Sequence, residues 1–273
     1  MYGAIIGDLA GSTYEFEQTK NIKPIRTNEI ITKDSFFSDD SILTMAILQS
    51  ILKHEDYETN LKKYTLSYLD YKPNFEPYFK NSFSPGFIKW TKGEKDGNSN
   101  GNGAMMRISP VGYMFNTEEE VKENCYKATK CSHNTKEAIA ASTLVTLTIF
   151  YARKGLNKKQ IQEKLNLNYK DRKLERFNTS CADTIDICFY SLFSANNFKD
   201  AIKLTLEHGG DTDTNCCIVG SMAEALYGID EDLIKECNKH IPDNFKEKLT
   251  QAYHITKLKV LEKRKLPNNN IIK

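Results

Sequence analysis

Apolar residues recur three and four positions apart along nearly the whole chain. Ile42, Met45, Ala46, Leu48 and Ile51 form one such stripe; Val121, Cys125 and Ala128 a second; Ile139, Leu144, Leu147 and Ile149 a third. Leu204 and Leu206, then Met222, Ala225 and Leu226, carry the pattern toward the C-terminus. This is the period of amphipathic helices, whereas two-residue alternation between hairpin turns is scarce. The pattern predicts an all-α chain with helices near 3–17, 40–54, 59–70, 84–92, 117–130, 135–154, 158–165, 181–194, 198–207, 213–227, 231–238 and 243–262. Two stretches lack the period: 18–37, which contains Pro24, and 92–103, rich in Gly and Asn. Long loops inside a compact domain are more often functional than idle.

No internal repeat, low-complexity segment or linker divides the chain. One domain over 1–265 is therefore expected, followed by a polar tail at 266–273 that contains Asn268, Asn269 and Asn270. With 273 residues, 40% of them hydrophobic, the chain is long enough to bury a sizeable core. A formal charge of +2 is too balanced to argue for a nucleic-acid or membrane partner. Lys257, Lys259, Lys263, Arg264 and Lys265 cluster late and read as a solvated terminal helix and tail. The N-terminus has no basic segment before its short apolar run, so it does not read as a signal peptide. No run approaches the ~18 uninterrupted apolar residues of a membrane span. A cytoplasmic protein is expected, with a monomer as the default. Seven cysteines without a Cys-x-x-Cys pair read as reduced, buried small hydrophobes.

Acidic residues stand where helices begin. Gly3, Gly7 and Gly11 fall at every fourth position, so on a helix they share one face and admit another backbone, at about 1 kcal/mol each in helix propensity. Asp8 and Glu15, two turns apart, would share a face beside that stripe. Ser38-Asp39-Asp40-Ser41 leads into a strongly periodic helix. An N-cap explains one acidic residue there, but adjacent carboxylates repel and ask for a cation. His208-Gly209-Gly210-Asp211-Thr212-Asp213-Thr214 opens another apolar helix, and its glycines allow Asp211, Asp213 and the Thr214 hydroxyl to converge. An EF-hand is rejected because its remaining loop positions and terminal Glu are missing. Glu15, Ser38, Asp39, Asp40, Asp211, Asp213 and Thr214 offer oxygen only, the preference of Mg²⁺ and Mn²⁺. So many carboxylates in one site call for two ions.

A fourth segment, Ser99-Asn100-Gly101-Asn102-Gly103-Ala104-Met105-Met106-Arg107, would expose backbone N–H groups to an anion, although its spacing is not that of a P-loop. Arg107 reads equally as a phosphate ligand or as half of a structural ion pair. His133 reads first as a hydrogen-bonded structural residue or cap, and His208 either as a ligand or base or as a hydrogen-bond partner of the glycine turn. No nucleophile elbow or Ser-His-Asp order is present.

Together the four segments resemble the ADP-ribosylglycohydrolase family. The matching pieces are Gly7-Asp8 through Tyr14-Glu15-Phe16, Ser38-Asp39-Asp40-Ser41, Gly101-Asn102-Gly103-Ala104-Met105-Met106-Arg107, and Gly210-Asp211-Thr212-Asp213-Thr214 with Gly220 and Gly228 beyond. The resemblance implies a single-domain orthogonal helical bundle and a hydrolase that cleaves ADP-ribose from a modified acceptor such as an arginine or serine side chain, with ADP-ribose as product. It implies that Ser38, Asp39, Asp40, Asp211, Asp213 and Thr214 hold two ions, Mg²⁺ or Mn²⁺, with Glu15 near them as a ligand or acid–base group. Glu15, Asp39, Asp40 and Asp213 are then the catalytic candidates. Ser99, Gly101, Asn102, Gly103 and Met105 would line the ADP-ribose groove, and His133 falls where a family histidine contacts the ligand. Two departures stand out. Ser38 replaces a common Thr and keeps its hydroxyl, while Asn134-Thr135-Lys136 lacks the His-Pro of many bacterial members and weakens any transfer of their acceptor preference. The competing readings are a non-catalytic ADP-ribose binder, a hydrolase of another nucleotide or phosphoribosyl compound, and a structural helical protein.

Overall fold

The computed structural model describes residues 1–76 and 82–256, so the basic cluster from Lys257 onward and the 265/266 boundary lie outside the described residues. The described chain is all-α: α1 (Tyr2–Gly11), α2 (Glu15–Gln18), α3 (Asp39–Lys53), α4 (Tyr57–Ser67), α5 (Pro85–Thr91), α6 (Gly103–Met106), α7 (Ser109–Met114), α8 (Glu118–Lys130), α9 (Lys136–Arg153), α10 (Lys158–Lys164), α11 (Cys181–Ser194), α12 (Phe198–His208), α13 (Thr212–Tyr227), α14 (Glu231–His240) and α15 (Asp243–Thr256). Two isolated β-bridges, Asn98 with His133 and Gly101 with Ser180, are the only extended pairings among the described residues.

The starts of these helices follow local chemistry. Ser38, Asp56, Ser84, Thr117, Thr135, Asn157, Ser180 and Asn197 each cap an N-terminus with a side-chain acceptor, satisfying amides that have no partner within the helix. Thr117 with Glu120 and Asn157 with Gln160 complete capping boxes.

The centre of the fold is the seam between α1 and α13, which are both buried over most of their length. A β-carbon on Gly3, Gly7 or Gly11 would overlap the backbone of Gly220, Cys216 or Thr212. The glycine stripe thus brings two helix backbones into direct contact, as its spacing predicts. α13 carries the 211–214 motif at its N-terminus, and α3 packs beside α1 with the 38–41 motif at its own.

The expected helix over 3–17 is broken in two. Thr212 Oγ1 donates to the Gly11 carbonyl at 2.8 Å, and the Tyr14 N–H closes a tight turn onto the same oxygen at 3.0 Å. The carbonyl is thereby taken away from Glu15, which instead begins α2. Two short helices, α6 and α7, occupy a stretch with no helical period long enough to reveal them.

Candidate active site

The acidic motifs meet at one end of the α1–α13 seam, on the floor of a groove of about 610 Å³. Glu15, Asp39, Asp40, Asp211, Asp213 and Thr214 line it, together with Ser99, Gly101, Asn102, Gly103 and His133. Ser38 is buried just beneath. Met105 is fully buried and does not line the groove; its neighbour Met106 does, because the single turn of α6 can present only one of the two. Residues that no motif announced complete the walls: Ser82, Ser84, Phe87 and Trp90 around α5, and Phe177, Thr179 and Ser180 before α11.

Asp8 anchors the floor. Its carboxylate accepts from Ser38 N (2.9 Å), Ser38 Oγ (2.8 Å), Ser41 N (3.1 Å) and Ser41 Oγ (2.5 Å), so it caps the positive end of α3 from a neighbouring helix. Burial still pushes its carboxyl up to about 6. With its oxygens engaged in this way, Asp8 serves to orient the 38–41 motif.

Asp40 is different. One oxygen lies 3.2 Å from both Ser38 Oγ and Thr214 Oγ1, joining α3 to α13, while its Oδ1 is buried with no hydrogen-bond partner among the described residues. An unpaired buried carboxylate oxygen is costly. Burial, then the charge of Asp213, raises its carboxyl well above the usual range. Asp213 is raised by burial and then by Asp211, Glu15 by burial and then by Asp213, and Asp39 by burial and then by Glu15. Asp211 is pushed up to about 7, again first by burial. Carboxylate oxygens of Asp8, Asp40 and Asp213 lie within 4.8 Å of one another, as do those of Glu15, Asp211 and Asp213. The two groups share Asp213. An all-oxygen donor set, mutual repulsion and an orphaned oxygen fit hard divalent cations.

A buried amide network ties the groove wall to this floor. Asn102 Nδ2 donates to Asp211 Oδ2 at 2.7 Å, and the Asp211 N–H donates to Asn178 Oδ1 at 2.9 Å. Asn178 in turn donates to Thr184 and Asn215, each at 2.8 Å. Asn102 orients the Asp211 carboxylate directly and Asn178 holds its backbone, and losing partners that position a metal ligand typically costs about 10- to 100-fold in metal affinity. Asn178→Ala is expected to weaken Mn²⁺ binding within that range; an unchanged titration isotherm would assign Asn178 to packing alone.

The 97–103 strap lies between two loops. Ser99 N–H donates to Ser132 O (3.2 Å) and Asn134 N–H to Gly97 O (2.7 Å), while Asn102 N–H donates to Thr179 O and Cys181 N–H to Asn100 O, both at 2.9 Å. His208 is not in the groove: it joins Leu204 O and Asp171 at the end of α12. Arg107 forms no ion pair among the described residues.

Comparison with known proteins adds an independent line. The family model described as ADP-ribosylglycohydrolase matches residues 1–269. Over 187 residues the chain is 26% identical to the ADP-ribosylarginine hydrolase Tri1 of Pseudomonas putida (strain GB-1), covering 63% of this chain but only 47% of that protein. It is 23% identical over 262 residues to the ADP-ribosyl-[dinitrogen reductase] glycohydrolase of Rhodospirillum rubrum, with 84% of each chain covered. A solved ADP-ribosylglycohydrolase-related protein complex shares the fold, with a TM-score of 0.69 at 15% identity over 93% of this chain and 95% of that one.

Proposed function

The chain belongs to the ADP-ribosylglycohydrolase family of hydrolases, and from that premise we propose that it releases ADP-ribose from modified protein side chains, arginine first among them, with two divalent cations. The observation that carries this reading is the pair of carboxylate groups sharing Asp213, with Glu15, Asp40, Asp211 and Asp213 lining the groove and Asp8 buried beneath them. The name of the Rhodospirillum relative supports a protein acceptor, and that of the Pseudomonas relative supports arginine.

Asp39, Asp40, Asp211, Asp213 and Thr214, with Glu15 beside them, would hold Mg²⁺ or Mn²⁺, while Ser38 reaches Asp40 from below. Bound there, the cations would offset the clustered negative charge and fix and polarise the ribose. The chain's own groups do the rest. Walls from the 99–103 strap and the 177–180 loop hold the nucleotide and fix the reacting sugar over the acidic floor. Cleavage passes through an oxocarbenium-like state, and the acidic floor stabilises the positive charge that develops at the anomeric carbon. Water supplies oxygen to that carbon, and a proton must reach the departing nitrogen. Glu15 is suited to carry that proton, because it lines the groove and its carboxyl is raised by burial and by Asp213. Asp39, Asp40 and Asp213 set the charge around it.

The reading is tested by incubating the protein with Mg²⁺ or Mn²⁺ and arginine-, serine- and nucleic-acid-linked ADP-ribose. Release from the arginine linkage, abolished by chelator and by Glu15→Gln, is expected. Release from another linkage alone would replace the acceptor, and binding of ADP-ribose with no release from any substrate would leave a binder.

A further inference from the structure

His133 enters the groove from the turn between α8 and α9, its backbone held by an N–H to Thr129 O at 2.9 Å and a carbonyl that accepts from Thr135 N at 2.9 Å. Its Nδ1 lies 2.8 Å from Ser132 Oγ and 3.5 Å from Arg107 Nη2. A guanidinium can only donate, and Nη2 donates to Ser132 Oγ at 2.6 Å. The serine's own proton then needs an acceptor, and among the described residues Nδ1 is the acceptor within its reach. A proton on Nδ1 would face the guanidinium N–H and leave the serine proton stranded. Nδ1 therefore bears the lone pair, and Nε2 carries the hydrogen. No protein hydrogen bond to Nε2 is present among the described residues. It faces Gly101 and Gly103, where β-carbons would stand only 3.5 and 3.6 Å away. Burial, then the charge of Arg107, holds the imidazole well below its usual range, so the ring is neutral.

The same contacts account for Arg107. It is completely buried, and its Nε and Nη1 have no hydrogen-bond partner among the described residues. Its guanidinium sits 5.6 Å from the Phe87 ring, a modest return for desolvating a cation. A group retained at that cost without a carboxylate partner calls for another role.

We propose that Arg107 and Ser132 are positioning residues that fix His133 as an Nε2–H donor, aimed past Gly101 and Gly103 at an oxygen of the bound nucleotide. The ligand half of this inference rests on the groove being the ADP-ribose site; the tautomer half does not. The glycines leave the N–H uncovered, and the relay keeps the ring from turning its lone pair toward an electron-rich ligand oxygen.

Nitrogen-15 NMR of the imidazoles in the ligand-free protein tests the relay directly, with the His133 signals among the five histidines identified by their loss in His133→Asn. Wild type is expected to show one tautomer, protonated at Nε2, whose Nε2 signal moves on adding ADP-ribose. Ser132→Ala should mix the tautomers and weaken ADP-ribose binding about tenfold, the scale of one hydrogen bond. Ser132→Thr, which keeps the hydroxyl, should restore both. A wild-type ring protonated at Nδ1, or a Ser132→Ala protein with unchanged tautomer and affinity, overturns the proposal. Failure of Ser132→Ala to fold leaves the wild-type spectrum to decide. Failure of wild type to bind ADP-ribose overturns the assignment of the groove, while the free-protein spectra still decide the tautomer.

Discussion

An Asp40→Asn protein is expected to release ADP-ribose about 10²- to 10³-fold more slowly than wild type, and in metal-free solution to resist unfolding better than wild type above neutral pH. Both effects have one cause. Asp40 stands in the shared acidic floor with Oδ1 buried and unpartnered, so its charge is useful only when a cation meets it. Without a cation, the folded protein holds protons on Asp40, on Asp211 (raised to about 7) and on Asp8 (raised to about 6) that an unfolded chain has already released. A carboxyl raised in the folded state stabilises it at low pH, and that stability is lost as the pH rises from about 4, the unfolded value, through the folded one. Metal-free wild type should therefore lose stability from about pH 4 upward, and Asn, which carries no charge, should flatten part of the decline. Saturating Mg²⁺ or Mn²⁺ should raise the wild-type curve and remove most of its slope. Urea midpoints with chelator and with metal check all of this. A flat metal-free profile would refute the repulsion, and undiminished turnover by Asp40→Asn would remove that residue from the site.

Gly7→Ala is the second large effect. Its β-carbon would overlap the Cys216 carbonyl and crowd the Cys217 amide, and both are backbone of a buried helix that cannot swing aside. Overpacking a core typically costs about 1–3 kcal/mol, and contact between two helix backbones belongs at or beyond the upper end. The displaced helix is α13, whose first turn carries Asp213 and Thr214, so activity should fall with stability. Gly86→Ala is the contrasting case. Among the described residues only the flexible Lys95 ammonium approaches that position, at 3.3 Å, so an exchange within α5 should be neutral or stabilise by up to about 1 kcal/mol. Equal urea midpoints for the two variants would refute the close-contact account.

Much of this architecture was legible because it rests on spacing. Stripes of apolar residues marked the long helices, and the every-fourth-residue glycines foretold a backbone contact. The acidic motifs announced themselves by standing paired at helix entrances, and the structure gathers them on one floor. What the sequence hid depends on partners far away along the chain. The break after Gly11 is made by Thr212, and the part of Asp8 depends on Ser38 and Ser41. Asn178 lies in a loop with no period, and its importance appears only once Asp211 and Asn215 surround it. Arg107 suggested either a phosphate ligand or an ion pair; it lines the groove and has no ion pair among the described residues, and its contact with Ser132 was hidden because only the turn after α8 brings Ser132 and His133 to it. Met105 and Met106 are adjacent in one short turn, and nothing local says which of them faces the groove.

The thiols described above also have a practical use. All seven cysteines are free, six of them buried, and they are spread over α8, α11, α13 and α14 with Cys131 half-exposed in a turn. Burial raises the thiols of Cys188, Cys216, Cys217 and Cys237 far out of the reactive range, so alkylation at each must wait for its own helix to open. The unmodified protein thus carries a set of clocks. Peptide-resolved labelling rates, timed against Cys131 as the early reporter, would rank the opening of the helix that carries the acidic motif against that of the outer helices, with no engineered probe.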